Sequence, residues 1–127
     1  MTEATQPKPA SSAGLPDKAR PTFRVLLIED DKAQAAAVGR WLQLSGEFKV
    51  AYADSGYSAA ASLMSGARWD LVISDIDLPG MNGLQLLGLC KEHQPEAPVL
   101  LVTAHRKFDY ALEAMRRRAA DLLLKPL

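Results

Sequence analysis

The chain has 127 residues, with fifteen Lys plus Arg against fifteen Asp plus Glu, a formal net charge of zero, and 48% apolar residues. This length excludes a two-domain enzyme and gives one ordinary domain a core that needs no staples. The balanced charge lacks the basic footprint of a dedicated nucleic-acid binder, so no direct nucleic-acid contact is expected. Apolar runs fall far short of the roughly 20 residues of a bilayer-spanning helix, so no membrane contact is expected either. Cys90, the one cysteine, has no partner for an internal disulfide, and the N-terminus lacks the apolar stretch of a signal peptide. Both fit a reducing cytoplasm.

Residues 1–21 hold four of the eight prolines among Ala, Ser, Thr, Gln and Lys. With almost nothing large and apolar to bury, they are read as a disordered tail. A domain is expected over residues 22–127. Val25-Leu26-Leu27-Ile28 opens it as a continuous apolar run, the pattern of a strand covered on both faces. In the first helical segment Ala37, Val38, Trp41 and Leu42 are predicted to share the inward face, with a stop at Ser45-Gly46. Phe48, Val50 and Tyr52 alternate as on an edge strand. A cap at Asp54 or Ser55 then starts a second helix that stacks Ala59, Ala60, Leu63 and Met64. Leu71-Val72-Ile73 is the third strand. The third helix runs from about Gly83 to Gln94, turning Leu86, Leu87 and Cys90 inward before Pro95 ends it. Val99 to Val102 is the fourth strand. Phe108, Ala111, Leu112, Met115 and Ala119 form the apolar stripe of a fourth helix, and Leu122-Leu123-Leu124 is the fifth strand. Alternating strands and helices with continuous strand runs predict a doubly wound α/β fold: a parallel sheet with right-handed crossovers and helices on both faces.

In such a sheet the carboxyl ends of all strands share one rim, where ligands bind. Glu29-Asp30-Asp31 follows the first strand, Asp75 and Asp77 the third, Thr103-Ala104 the fourth, and Lys125-Pro126 the fifth. With neighbouring strands about 4.8 Å apart, Asp30 and Asp75 would repel unless something positive stood between them. A hard divalent cation suits a crowded carboxylate cluster. Mg²⁺ in particular accepts a few carboxylates and keeps waters for an incoming phosphate, while Lys125 adds a point charge from across the rim.

The ordered set of Glu29-Asp30, then Asp75 within Ile73-Ser74-Asp75-Ile76-Asp77-Leu78-Pro79-Gly80-Met81-Asn82-Gly83, then Thr103-Ala104 and Lys125-Pro126, resembles the receiver domain of two-component response regulators. The resemblance spans about Phe23 to Leu127 and implies a five-stranded flavodoxin-like sheet in the order 2-1-3-4-5. It implies that Asp75 accepts a phosphoryl group from a sensor histidine kinase, a phosphotransfer protein or a small phosphodonor. Asp30 and Asp75 would ligate Mg²⁺ directly, Glu29 through a water, and the Asp77 backbone carbonyl would complete the protein's share. Lys125 and the Thr103 hydroxyl would bind the phosphoryl oxygens and draw the loop after the fourth strand inward. Asp77 and His105 would flank the attacking water and set the lifetime of the aspartyl phosphate. The Lys125-Pro126 peptide bond is expected to be cis. The domain's only chemistry would be gain and loss of its own phosphoryl group, so it is not a turnover enzyme.

Three features depart from the family pattern. Leu122 stands where Tyr or Phe is common, so no aromatic rotamer change can accompany the switch. Arg118 stands where a glycine often ends the fourth helix, which implies another cap or a strained positive φ. The chain stops at Leu127, before the family's fifth helix. An apolar patch should therefore lie open near strands one and five, in a fragment of a longer regulator or in a chain that completes itself by pairing. A homodimer through the fourth helix and fifth strand is one arrangement compatible with this pattern.

Taken singly, these residues have ordinary roles: Asp31 as a helix cap, Asp77-Leu78-Pro79-Gly80 as a turn, Arg116-Arg117-Arg118 as favourable charge at a helix end, Cys90 as a buried hydrophobe and His93 as a surface residue. Two alternative functions remain. In a haloacid-dehalogenase-type phosphatase, Asp75 and Asp77 would be nucleophile and acid, although that family places the pair after its first strand. The other is a receiver-like interaction module that is never phosphorylated.

Overall fold

A computed structural model of the chain describes residues 22–104, 111, 113–114 and 116–125. Strands and helices alternate as β1 (Phe23–Ile28), α1 (Lys32–Gln43), β2 (Phe48–Ala53), α2 (Gly56–Met64), β3 (Leu71–Asp75), α3 (Gly83–His93), β4 (Val99–Thr103) and β5 (Asp121–Leu124). The strands pair in parallel in the order β2-β1-β3-β4-β5. This is the flavodoxin-like, doubly wound α/β sheet, with β2 and β5 at its edges.

The continuous strand runs have the physical reason the sequence suggested. Leu26, Ile28, Val72, Val99 and Leu101 face α2 and α3, while Val25, Leu27, Ile73 and Val102 face α1. All are buried, and each large side chain contributes roughly 1.5–3 kcal/mol of burial. Leu86, Leu87 and Cys90 turn inward from α3 as expected, and His93 is exposed.

Helix starts follow their caps. Asp31 accepts from the Gln34 N–H before α1, Ser55 and Ser58 close a reciprocal box before α2, and Asn82 and Gln85 do the same before α3. The cap of α2 is therefore Ser55 and not Asp54.

Some helical faces differ from the expectation. On α1 the buried positions are Ala35, Gly39 and Leu42, and Trp41 is 71% exposed. Gly39 is inside because the Tyr52 ring of β2 lies against it, leaving no room for a Cβ. Val38 is half-buried against the sheet cluster of Val25, Leu27, Ile73 and Val102, whereas Ala37 is exposed and not inward as expected. Met64, at the end of α2, is also exposed.

Among the described residues α1 is the helix that covers its face of the sheet, and beside it runs a groove of about 560 Å³ lined by Leu27, Ile73, Val102, Ala35 and Val38. The groove runs along β1, β3 and β4.

Of the fourth helix, Ala111, Glu113, Ala114 and Arg116 are helical, and Ala114 is buried. Phe108, Leu112 and Met115 lie outside the described residues, as do residues 1–21, His105 and the Pro126 side of the Lys125-Pro126 bond. Arg118 has φ +62°, so the strained alternative at that helix end is the one adopted. None of the described helices is long and apolar enough to cross a membrane.

Candidate functional site

The parallel register carries the polar strand ends to one rim. Ile28 pairs with Ser74, Asp75 with Val102 and Thr103 with Leu124, so the residues that follow these strands sit side by side. Asp75 is the last residue of β3 and is 5% exposed. Glu29 follows β1, its N–H tied to the Ala53 carbonyl of β2, and Lys125 follows β5, its N–H tied to the Thr103 carbonyl.

Glu29, Asp30 and Asp75 each present a carboxylate oxygen within 4.8 Å of the others. Three acids this close repel one another unless protons or cations intervene. Lys125 intervenes: its ammonium donates to Glu29 Oε1 at 2.9 Å and to Asp75 Oδ2 at 3.1 Å. The other oxygens are also engaged. Asp75 Oδ1 accepts from the Asp77 N–H at 3.1 Å, and Glu29 Oε2 from the Asp31 N–H at 3.2 Å.

Electrostatics follow from this crowding. Burial, with the nearby Asp75 charge, pushes the Glu29 carboxyl above its ordinary value against the pull of the Lys125 and Asp31 hydrogen bonds and the Lys125 charge. Burial also works against the Lys125 charge, but hydrogen bonds to Glu29 and Asp75 and the charges of both outweigh it and hold the ammonium above its usual range. Lys125 therefore stays charged at neutral pH.

The loop from Asp75 into α3 is closely packed. Leu78 and Gly83 both donate to the Ile76 carbonyl, and a Cβ at Gly83 would collide with the Asp75 carbonyl oxygen. Gly80, at φ +77°, turns the chain beneath the Tyr57 ring.

The structure thus gathers Glu29, Asp30, Asp75, Asp77, Thr103 and Lys125 at one rim. One contact escaped the sequence reading: the buried Thr103 hydroxyl donates to Asp77 Oδ2 at 3.1 Å. It follows from the parallel pairing of β3 with β4, which carries the residue after Ile76 towards Thr103, and no local sequence pattern signals it.

A parallel α/β sheet with three acids, a lysine and a threonine gathered at its carboxyl rim places a candidate cation site where ligands bind in such sheets. The chain belongs to the response regulator receiver domain family, whose model matches residues 25–127. It is 48% identical over 103 residues to the response regulator protein FleR of Pseudomonas aeruginosa, a match covering 81% of this chain and 21% of FleR. The chain thus spans about a fifth of that relative's length. A response regulator structure from Burkholderia pseudomallei, with a phosphorylated aspartic acid, calcium ion and citrate, superposes with TM-score 0.76 at 26% identity, over 83% of this chain and 61% of that one. Response regulator TrrA of Thermotoga maritima in complex with Mg²⁺-BeF superposes with TM-score 0.73 at 27% identity, over 84% of this chain and 89% of that one. Receiver domains bind Mg²⁺ at an acidic pocket, interact with histidine kinases or phosphodonors, and are generally not turnover enzymes.

Proposed function

We propose that Asp75 is the phosphoryl acceptor of this domain, and that Glu29, Asp30, Thr103, Lys125 and the Asp77 backbone serve it. The convergence of Lys125 on Asp75 and Glu29 carries the reading. A lysine that merely ended a strand would have no reason to be held against two buried carboxylates.

The donor set fits a hard cation, since three carboxylates lie within ligating range of a common point. Asp30 and Asp75 would hold Mg²⁺ directly, Glu29 through a water, and the Asp77 carbonyl would complete the set. When bound, the cation would neutralise charge between nucleophile and phosphoryl oxygens.

The protein's own groups do the rest. An Asp75 carboxylate oxygen forms the new P–O bond as the donor's P–N or P–O bond breaks, and the bonding pair leaves with the donor. The Asp77 N–H holds the carboxylate in orientation. Lys125 neutralises charge on the transferred group, and the Thr103 hydroxyl binds one of its oxygens. By the family pattern, Asp77 and the residue two past the threonine, His105, would set the lifetime of the product. The donor is a sensor histidine kinase, a phosphotransfer protein or a small acyl phosphate. The outcome is a change in what the domain binds.

Two assays separate this reading from its alternatives. Acetyl phosphate with Mg²⁺ should give one stoichiometric modification, abolished by chelation, and a generic phosphate ester should not be turned over. Repeated turnover of the ester would support a phosphatase, and a folded protein that stays unmodified would support a silent interaction module.

A further inference from the structure

We propose that the Asp77 carboxylate is a positioning residue: it engages the Thr103 hydroxyl in the resting domain, so that Thr103 reaches a phosphoryl oxygen only by exchanging one acceptor for another. This inference rests on Asp75 being the acceptor.

The geometry is specific. Thr103 is 2% exposed, and its Oγ1 donates to Asp77 Oδ2 at 3.1 Å across the loop that follows Asp75. The same Asp77 donates its backbone N–H to Asp75 Oδ1, and the loop is fixed behind it by the Leu78 and Gly83 hydrogen bonds to the Ile76 carbonyl. One residue therefore orients the nucleophile through its main chain and engages the switch hydroxyl through its side chain.

A threonine hydroxyl has a single proton to donate, and a phosphoryl oxygen offers no proton in return. The bond to Asp77 is charge-assisted, which strengthens it relative to a neutral pair. It stabilises the resting arrangement and not the phosphorylated one, so it biases the two-state equilibrium towards rest. Phosphorylation then transfers the Thr103 hydroxyl from Asp77, an exposed residue, to the phosphoryl oxygen.

The Asp77 charge would also repel a phosphoryl group directly, and a thermodynamic cycle separates the two effects. The full chain with Mg²⁺ is titrated with beryllofluoride, a non-covalent phosphoryl mimic, and binding is read by calorimetry. Asp77→Ala, which keeps the backbone carbonyl, should tighten binding about 3- to 10-fold, the factor expected for loss of one hydrogen bond. In a Thr103→Val background the same change should have little effect, because no hydroxyl remains to be held. Asp77→Asn keeps an acceptor and should stay nearer the wild type than Asp77→Ala. Thr103→Ser keeps the hydroxyl and should restore the effect of Asp77→Ala, a comparison that holds even if the valine variant folds poorly. Equal tightening with and without the hydroxyl, or none with it, overturns the proposal and leaves Asp75 as acceptor. Failure of the wild type to bind beryllofluoride overturns the phosphoacceptor reading itself, and the latch with it.

Discussion

Lys125 and Asp75 are 50 positions apart in the chain, yet the Lys125 ammonium donates to Asp75 Oδ2 at 3.1 Å while also holding Glu29. The lysine occupies the place of positive charge that the acidic cluster demands. Its removal leaves Glu29 and Asp75 facing each other with little solvent between them. In metal-free buffer Lys125→Met should lower unfolding free energy by roughly 1–2 kcal/mol, less than for a fully buried pair because the lysine side chain is 18% exposed. Urea titrations measure this. Added Mg²⁺ should narrow the gap between the two proteins, and an identical gap with and without Mg²⁺ would argue against a shared carboxylate site.

The same contacts give an alkaline signature. Because the folded-state value of Lys125 is raised above 10.5, its contribution to stability is fully present below that pH and is lost as pH rises through the higher folded value. The stability difference between wild type and Lys125→Met should therefore be flat through the neutral range and shrink only at strongly alkaline pH. A difference that faded between pH 7 and 9 would contradict the ion pairs.

Cys90 should be inert. Burial raises its thiol to about 11 from 9.0 against the opposing charge of Lys91, so the native thiolate fraction at pH 8 is on the order of one in a thousand. Ellman's reagent should react slowly with the folded chain and promptly in denaturant. A fast native reaction would mean that α3 does not pack as described.

Gly83→Ala should be among the most damaging small changes. The new methyl would meet the Asp75 carbonyl oxygen and lie 2.8 Å from the Ile76 Cα, and backbone cannot swing aside as a side chain does. A loss of roughly 1–3 kcal/mol is expected, together with slower phosphorylation because the strain falls on the acceptor's own peptide. Thermal unfolding and acetyl phosphate kinetics would register both.

Arg118→Gly should act in the opposite direction. At φ +62° the arginine carries the left-handed penalty that glycine escapes, so stability should rise by about 1 kcal/mol, visible as a melting point higher by a few degrees. A lower melting point would show that the Arg118 side chain contributes more than its backbone costs.

How far the sequence disclosed this molecule depended on which physical effect was local. Strand runs such as Val25 to Ile28 were legible because a covered parallel strand must be apolar on both faces, and the rim residues followed from strand direction alone. Caps such as Asp31 and Ser55 are written in one side chain and the backbone three residues on. Trp41 lies outside while Gly39 lies inside against the Tyr52 ring of β2, a long-range contact that helical period cannot register. The Thr103 to Asp77 hydrogen bond likewise needs the β3 to β4 register and the shape of a loop, neither of which is a property of a short window of sequence. Residue types at strand ends therefore pointed to the rim where the candidate site gathers, and packing between elements set its details.

The most direct measurement is the intact mass of the folded chain after incubation with acetyl phosphate and Mg²⁺, beside the same experiment on Asp75→Ala. The wild type should gain one phosphoryl group, and the variant should gain none while its circular dichroism remains that of the folded protein. An unchanged wild-type mass, or an equal gain in Asp75→Ala, would contradict the assignment of Asp75 as the acceptor.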